Sequence, residues 1–143
     1  MTVQEIMNKQ VISVSPEDSA ASAARLLARY NIGSVPVCTK DGQLKGIVTD
    51  RDIVLRCVAA DSDPNQTPIR EIMSRSIVTA APEDDVTGVS RQMAQSQIRR
   101  LPVVGQGGKV VGMVSLGDLA KCSACNVEAG QALTDISHNL RRR

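Results

Sequence analysis

Aromatic side chains are all but missing from this 143-residue chain: Tyr30 is the single aromatic, with no Phe and no Trp. Its core is therefore aliphatic, built from Val, Ile, Leu, Met and Ala, and a hydrophobic content of 42% is enough to build one. The same absence excludes the aromatic platforms on which proteins stack single-stranded nucleic acid. A one-sided charge is missing too. The formal net charge of +2 is too weak for a general polyanion partner, and the one basic cluster, Arg141-Arg142-Arg143, reads as a solvated chain end. No nucleic-acid partner is expected. No apolar run approaches the roughly 20 residues of a membrane span, and the start "MTVQEIMNKQ" has no signal-peptide apolar region. The expectation is a soluble cytoplasmic protein with no membrane partner. With His138 as the one histidine, no catalytic triad, no metal constellation and no phosphate-binding P-loop, no enzyme is expected and no cofactor is obligatory. The four cysteines, Cys38, Cys57, Cys122 and Cys125, are not spaced as a secreted disulfide framework and read as reduced thiols.

What the chain does have is a duplication. Shifted by 66 positions, it matches itself without a gap. "EIMNKQVISVSPED" (Glu5 to Asp18) lies over "EIMSRSIVTAAPED" (Glu71 to Asp84), and "IGSVPVCTKDGQLKGIVTDRDI" (Ile32 to Ile53) over "IRRLPVVGQGGKVVGMVSLGDL" (Ile98 to Leu119). The pairs include Pro36/Pro102, Gly46/Gly112, Thr49/Ser115 and Asp52/Asp118. This divides the chain into repeat 1 (1–60), a linker (61–68), repeat 2 (69–122) and a helical tail (123–143).

Each copy predicts the same elements. A short helical turn (Val3–Met7, Ile69–Met73) precedes a brief extended run, "VISV" or "SIVTA". "SPED" or "APED" then starts a helix, with proline at its first position and acids in its first turn; Ser15 and Asp18 have capping-box spacing. That helix runs to about Tyr30 or Gln95, with Ala23, Leu26, Leu27 and Tyr30 as its buried stripe. Two strands follow around Asp41-Gly42 or Gly107-Gly108. A second helix begins near Asp52 or Asp118. The order is β-α-β-β-α, twice, an α/β (α+β) class. A unit of about 55 residues is marginal alone, so the copies are expected to pack around a pseudo-two-fold axis, with ligand clefts between them.

The chemistry concentrates at "GIVTDRD" and "GMVSLGD". A hydroxyl and a carboxylate three residues apart at a helix start share one face. The helix start offers unpaired N–H groups to a phosphate. An aspartate there can accept hydrogen bonds from a ribose diol, as in dinucleotide folds. Gly46 and Gly112 allow close backbone approach. The plainer reading of Thr49-x-x-Asp52 is an N-cap worth about 1 kcal/mol. Duplication of the hydroxyl and the acid, while Asp50 and Arg51 give way to Leu116 and Gly117, favours a cap that is also a cradle.

Taken together, the "EIM" openings, the "IGSVPV"/"IRRLPV" strands and the "GIVTDRD"/"GMVSLGD" signatures resemble the tandem CBS-domain module (cystathionine-β-synthase domain pair, or Bateman module) over residues 3 to 122. The resemblance implies a stand-alone regulatory module that binds an adenine nucleotide of AMP, ADP or ATP type, or a related adenosyl ligand such as S-adenosylmethionine or a dinucleotide. It implies a homodimer and an effector protein that reads the ligand state. Carried over by position, one site has Ser115, Asp118 and Arg100 at its ribose–phosphate end and Ser13, Ile32, Gly33 and Ser34 at its base end. The other has Thr49, Arg51 and Asp52 for ribose and phosphate, with Thr79, Ile98 and Arg99 at the base. The sites differ: the counterpart of Arg100 in the other copy is Ser34, that of Arg51 is Gly117, and Arg99 replaces the small Gly33. The Asp118 site is favoured.

Two alternatives stand beside this. One is a structural dimerisation module with vestigial pockets. The other is a thiol or metal protein using Cys122-x-x-Cys125, although a zinc site needs four ligands. Cys38 reads as a small strand residue and Cys57 as a helix packing residue. In the tail, Leu133, Ile136 and Leu140 fit one helical face, suited equally to folding back on the module or to a dimer or partner contact.

Overall fold

A computed structural model describes residues 1–121 and 135–136. Its elements are α1 (Ala20–Tyr30), β1 (Ser34–Cys38), β2 (Leu44–Thr49), α2 (Asp50–Ile53), α3 (Val86–Ser96), β3 (Arg100–Val104), β4 (Val110–Ser115) and α4 (Leu116–Ala120). Short 3₁₀ turns open each repeat at Val3–Glu5 and Ile69–Glu71, and α2 continues as a π-helical turn over Val54–Val58. Mixed helix and strand with two small sheets is the class expected from the sequence. The first strand of each repeat is reduced to a single parallel bridge, Val14 with Val37 and Ala80 with Val103.

The chain forms two compact units, and they are not the two linear repeats. One comprises 1–11, 78–106 and 110–143 (unit 1); the other comprises 12–77 and 107–109 (unit 2). Each joins the body of one repeat to the opening turn of the other.

In unit 2, β1 and β2 pair antiparallel from Ser34 with Thr49 to Val37 with Gly46, and a register shift follows at Val37/Cys38. Gly42, at φ +85, makes the turn. The core is aliphatic: Val35, Val37, Val48, Ala23, Leu27, Ile53 and Cys57, closed by Ile69 and Ile72 from the opening of repeat 2. In unit 1, β3 and β4 repeat the pairing from Arg100 with Ser115 to Val103 with Gly112. Leu101, Val103, Val114, Val89, Met93 and Leu119 form that core, with Val3 from the opening of repeat 1 and Ile136.

"SPED" and "APED" do not start helices. Ser15 N–H donates to Asp18 Oδ2 at 2.9 Å and Ala81 N–H to Asp84 Oδ2 at 2.9 Å, so each closes as a turn. The helices start later, capped by Ser19 and Asp85. The reason lies in the turns' carbonyls. Pro16 and Asp18 accept from Arg70 and Ile69 N–H, and Pro82 and Asp84 accept from Gln4 and Val3 N–H. A helix begun at the proline would have consumed those carbonyls internally. The linker 61–68 serves α1 in the same way: Pro64 and Thr67 carbonyls accept from Ala21 and Ala20 N–H.

Tyr30 is not in the buried stripe. It is 46% exposed, with the Arg29 guanidinium 5.7 Å from its ring centroid, an exposed cation–π pair. Ala23 and Leu27 are buried as expected. Cys38 and Cys57 are buried free thiols. Cys122, Cys125, Leu133 and Leu140 lie outside the described residues.

Candidate functional site

The two signature motifs fold alike. Thr49 Oγ1 accepts from Asp52 N–H at 3.0 Å, while Thr49 N–H donates to Asp52 Oδ2 at 3.0 Å. Ser115 and Asp118 repeat the box at 3.1 and 2.9 Å. The plain reading is therefore correct as far as it goes: both motifs are reciprocal caps. Each box consumes one carboxylate oxygen and leaves the other outside it. Asp52 is 9% exposed.

Beside each cap lies the start of the preceding strand from the same repeat. Asp50 N–H donates to Gly33 O at 3.0 Å, and Leu116 N–H to Arg99 O at 2.9 Å. Ser34 pairs with Thr49, and Arg100 with Ser115. Ile32 and Ile98 are half-buried against their units' cores. Ser13 is exposed next to the bridging Val14 and hydrogen-bonds the Cys38 thiol. Thr79 holds the equivalent place before Ala80. Unit 2 thus gathers Ser13, Ile32, Gly33, Ser34, Thr49, Arg51 and Asp52, and unit 1 gathers Thr79, Ile98, Arg99, Arg100, Ser115 and Asp118. Arg51 and Arg99 are exposed.

The units differ in charge. Burial lowers the pKa of Arg100, and the Asp118 carboxylate works against that shift. This is a half-desolvated cation beside the acid. In unit 2 the strand residue is Ser34. Position 50 differs as well. Asp50 is exposed at the rim of an apolar groove of about 320 Å³ between α1 and α2, lined by Leu27, Ile32 and Ile53. Its counterpart Leu116 is buried in the core of unit 1.

Gly46 and Gly112 do admit a close backbone approach. A Cβ at Gly46 would meet Met73 Sδ and Ser74 O, each at 2.8 Å, and one at Gly112 would meet Met7 Sδ at 2.5 Å. The close approach is by the chain's own "EIM" turns, which bridge Ile47 with Ser74 and Asn8 with Met113. Sequence reasoning also passed over Arg56. Its Nη1 donates to Ile72 O at 3.1 Å and lies 3.9 Å from Asp52 Oδ1. The i, i+4 spacing from Asp52 was the available signal. Among the described residues, no cluster of His, Cys, Asp and Glu suits a metal, and no helix is long and apolar enough to cross a membrane.

The CBS-domain family model matches residues 3–58 and 69–124, and the chain belongs to this family. A CBS domain-containing protein of Bacillus subtilis, YhcV, is 47% identical over 137 residues, 96% of each chain. The crystal structure of Hypoxic Response Protein I with two coordinated zinc ions is similar at TM-score 0.77 and 31% identity, over 85% of this chain and 98% of that one. The CBS domain pair of protein MJ0100, solved with 5′-methylthioadenosine and S-adenosyl-L-methionine, is similar at TM-score 0.74 and 31% identity, over 85% of this chain and 94% of that one.

Proposed function

We propose that this chain is a non-catalytic sensor of adenosyl ligands, of AMP, ADP or ATP type or related to S-adenosylmethionine. It acts in the cytoplasm as a homodimer whose ligand state an effector protein reads. One observation carries the reading: the hydroxyl–carboxylate cap occurs twice, each time against the backbone of its own repeat's strand start. The carboxylate oxygen that each box leaves outside it is the acceptor for a ribose diol, and the half-buried Ile32 and Ile98 are the apolar surfaces for the base. Arg100 makes the unit 1 seat the better one for a phosphate, since a partly desolvated guanidinium binds an anion without a large further desolvation cost. The mechanism is linkage: a ligand that prefers one arrangement of the module shifts the population toward it. MJ0100's adenosyl ligands support the ligand class.

The test is calorimetric titration of the full chain with AMP, ADP, ATP, S-adenosylmethionine and 5′-methylthioadenosine. Asp52→Asn and Asp118→Asn keep a capping oxygen and remove the charge. Each is expected to weaken one seat about 10- to 100-fold, the worth of a charged hydrogen bond. No binding by any of these compounds, or unaltered binding by the double variant, overturns the reading. The first result would favour the dimerisation module with vestigial pockets.

A further inference from the structure

Asp52 and Asp118 hold the same place in their repeats, but their charges are met from different directions. In unit 1 the neighbouring cation is Arg100 on β3. In unit 2 it is Arg56, one turn beyond Asp52 on the same helical segment, with Nη1 3.9 Å from Asp52 Oδ1. That nitrogen also donates to the carbonyls of Ile72 at 3.1 Å and Met73 at 3.4 Å. These carbonyls end the turn that opens repeat 2. The turn is held by Ile72 and Met73 N–H on Ile69 O, and by the paired bonds of Ser74 with Ile47. It lies flush on Gly46. The chain leaves unit 2 soon after, at Ile77. In repeat 2 the position of Arg56 is Cys122, so this guanidinium link belongs to one repeat alone.

We propose that Arg56 is a positioning residue that couples the Asp52 carboxylate to the turn Ile69–Ser74. The bond to a carbonyl is strengthened when the guanidinium is held in orientation by a nearby carboxylate. Neutralising Asp52 therefore frees Arg56 to solvent, because its side chain is 52% exposed. A ligand hydroxyl that donates to Asp52 competes for the same charge. This last step rests on the function proposed above, and it makes the unit 2 seat the one that reports occupancy to the turn.

The experiment is amide hydrogen exchange on the full chain, read at Met73 and Ser74. Arg56→Met is expected to speed their exchange about three- to tenfold through easier local opening. Arg56→Lys, which keeps the charge but not the forked geometry, falls between that variant and the parent. Asp52→Asn speeds the same amides, and the double variant exchanges no faster than Arg56→Met alone. Asp118→Asn leaves them unchanged. Unaltered exchange in Asp52→Asn, or effects that multiply in the double variant, overturns the coupling. With AMP or S-adenosylmethionine added, exchange at these amides changes in the parent and not in Arg56→Met. Equal ligand effects in both overturn the coupling. Absence of binding by calorimetry sinks the ligand reading alone, and the ligand-free exchange series still decides the coupling.

Discussion

Replacing Gly46 with alanine tests the central packing claim, that the family's glycine serves the chain and not a ligand. The added Cβ would lie 2.8 Å from both Met73 Sδ and Ser74 O. The thioether can swing aside. The carbonyl cannot do so cheaply, because it accepts from Ile47 N–H at 2.9 Å while Ser74 N–H donates to Ile47 O at 2.9 Å. Restoring ordinary contact means moving the turn by roughly half an ångström. That stretches both bonds, each worth about 1 kcal/mol net. With overpacking at about 1–3 kcal/mol, the expected loss is about 2–4 kcal/mol, or roughly 5–15 °C in melting temperature for a chain of this size. Gly88 is the control. It lies inside α3 with nothing among the described residues within 4 Å of its missing Cβ, so Gly88→Ala should gain about 0.5–1 kcal/mol from helix propensity. Urea unfolding and scanning calorimetry read both. A Gly46→Ala protein as stable as its parent, or two substitutions with effects of the same sign, would refute the reasoning.

Further outcomes follow from the same contacts. In unit 1 the atoms nearest a Cβ at Gly112 belong to the Met7 side chain, with Asn8 O further away at 3.1 Å. Met7→Ala should therefore rescue Gly112→Ala better than Met73→Ala rescues Gly46→Ala, as measured by urea midpoints. Ser90 is 1% exposed and its hydroxyl has no hydrogen-bond partner among the described residues, whereas the other repeat has Ala24 there. Ser90→Ala should gain about 1 kcal/mol by urea unfolding. Burial raises the Cys38 thiol above its ordinary range, against a smaller opposing effect of the Ser13 hydrogen bond. Its contribution to stability is full below the ordinary thiol pKa and is lost as pH rises through the folded value. Thiol labelling of the native protein at Cys38 should accordingly need a higher pH than labelling of the unfolded chain.

The duplication made the strands, the hairpin turns and the caps legible, since each is a local pattern. Alternating apolar residues flank Gly42, and Thr49 and Asp52 stand at capping distance. The start of α1 was misplaced because Pro16 and Asp18 look like a helix start to any local rule. Their carbonyls are instead engaged by Ile69 and Arg70, some fifty residues away. Tyr30 failed for a similar reason: its spacing fits the helical stripe, but it falls in the last turn, beyond the reach of the core. Arg56 went unweighed because its partners at Ile72 and Met73 are main-chain carbonyls, which leave no mark on composition.

The sequence by itself determined that there are two copies, that each builds an aliphatic β-α-β-β-α body, and that a hydroxyl and an acid stand at the same place in both. These follow from short-range periodicity and capping chemistry. Only the tertiary structure decided which opening turn closes which body. Each "EIM" turn packs on the glycine of the other repeat, because that glycine alone lets two backbones meet at bridge distance. Tertiary structure also decided that Asp52 answers to Arg56 and Asp118 to Arg100. Repetition in sequence makes two acids equal; their neighbours in space, contributed by unrepeated residues, make them different.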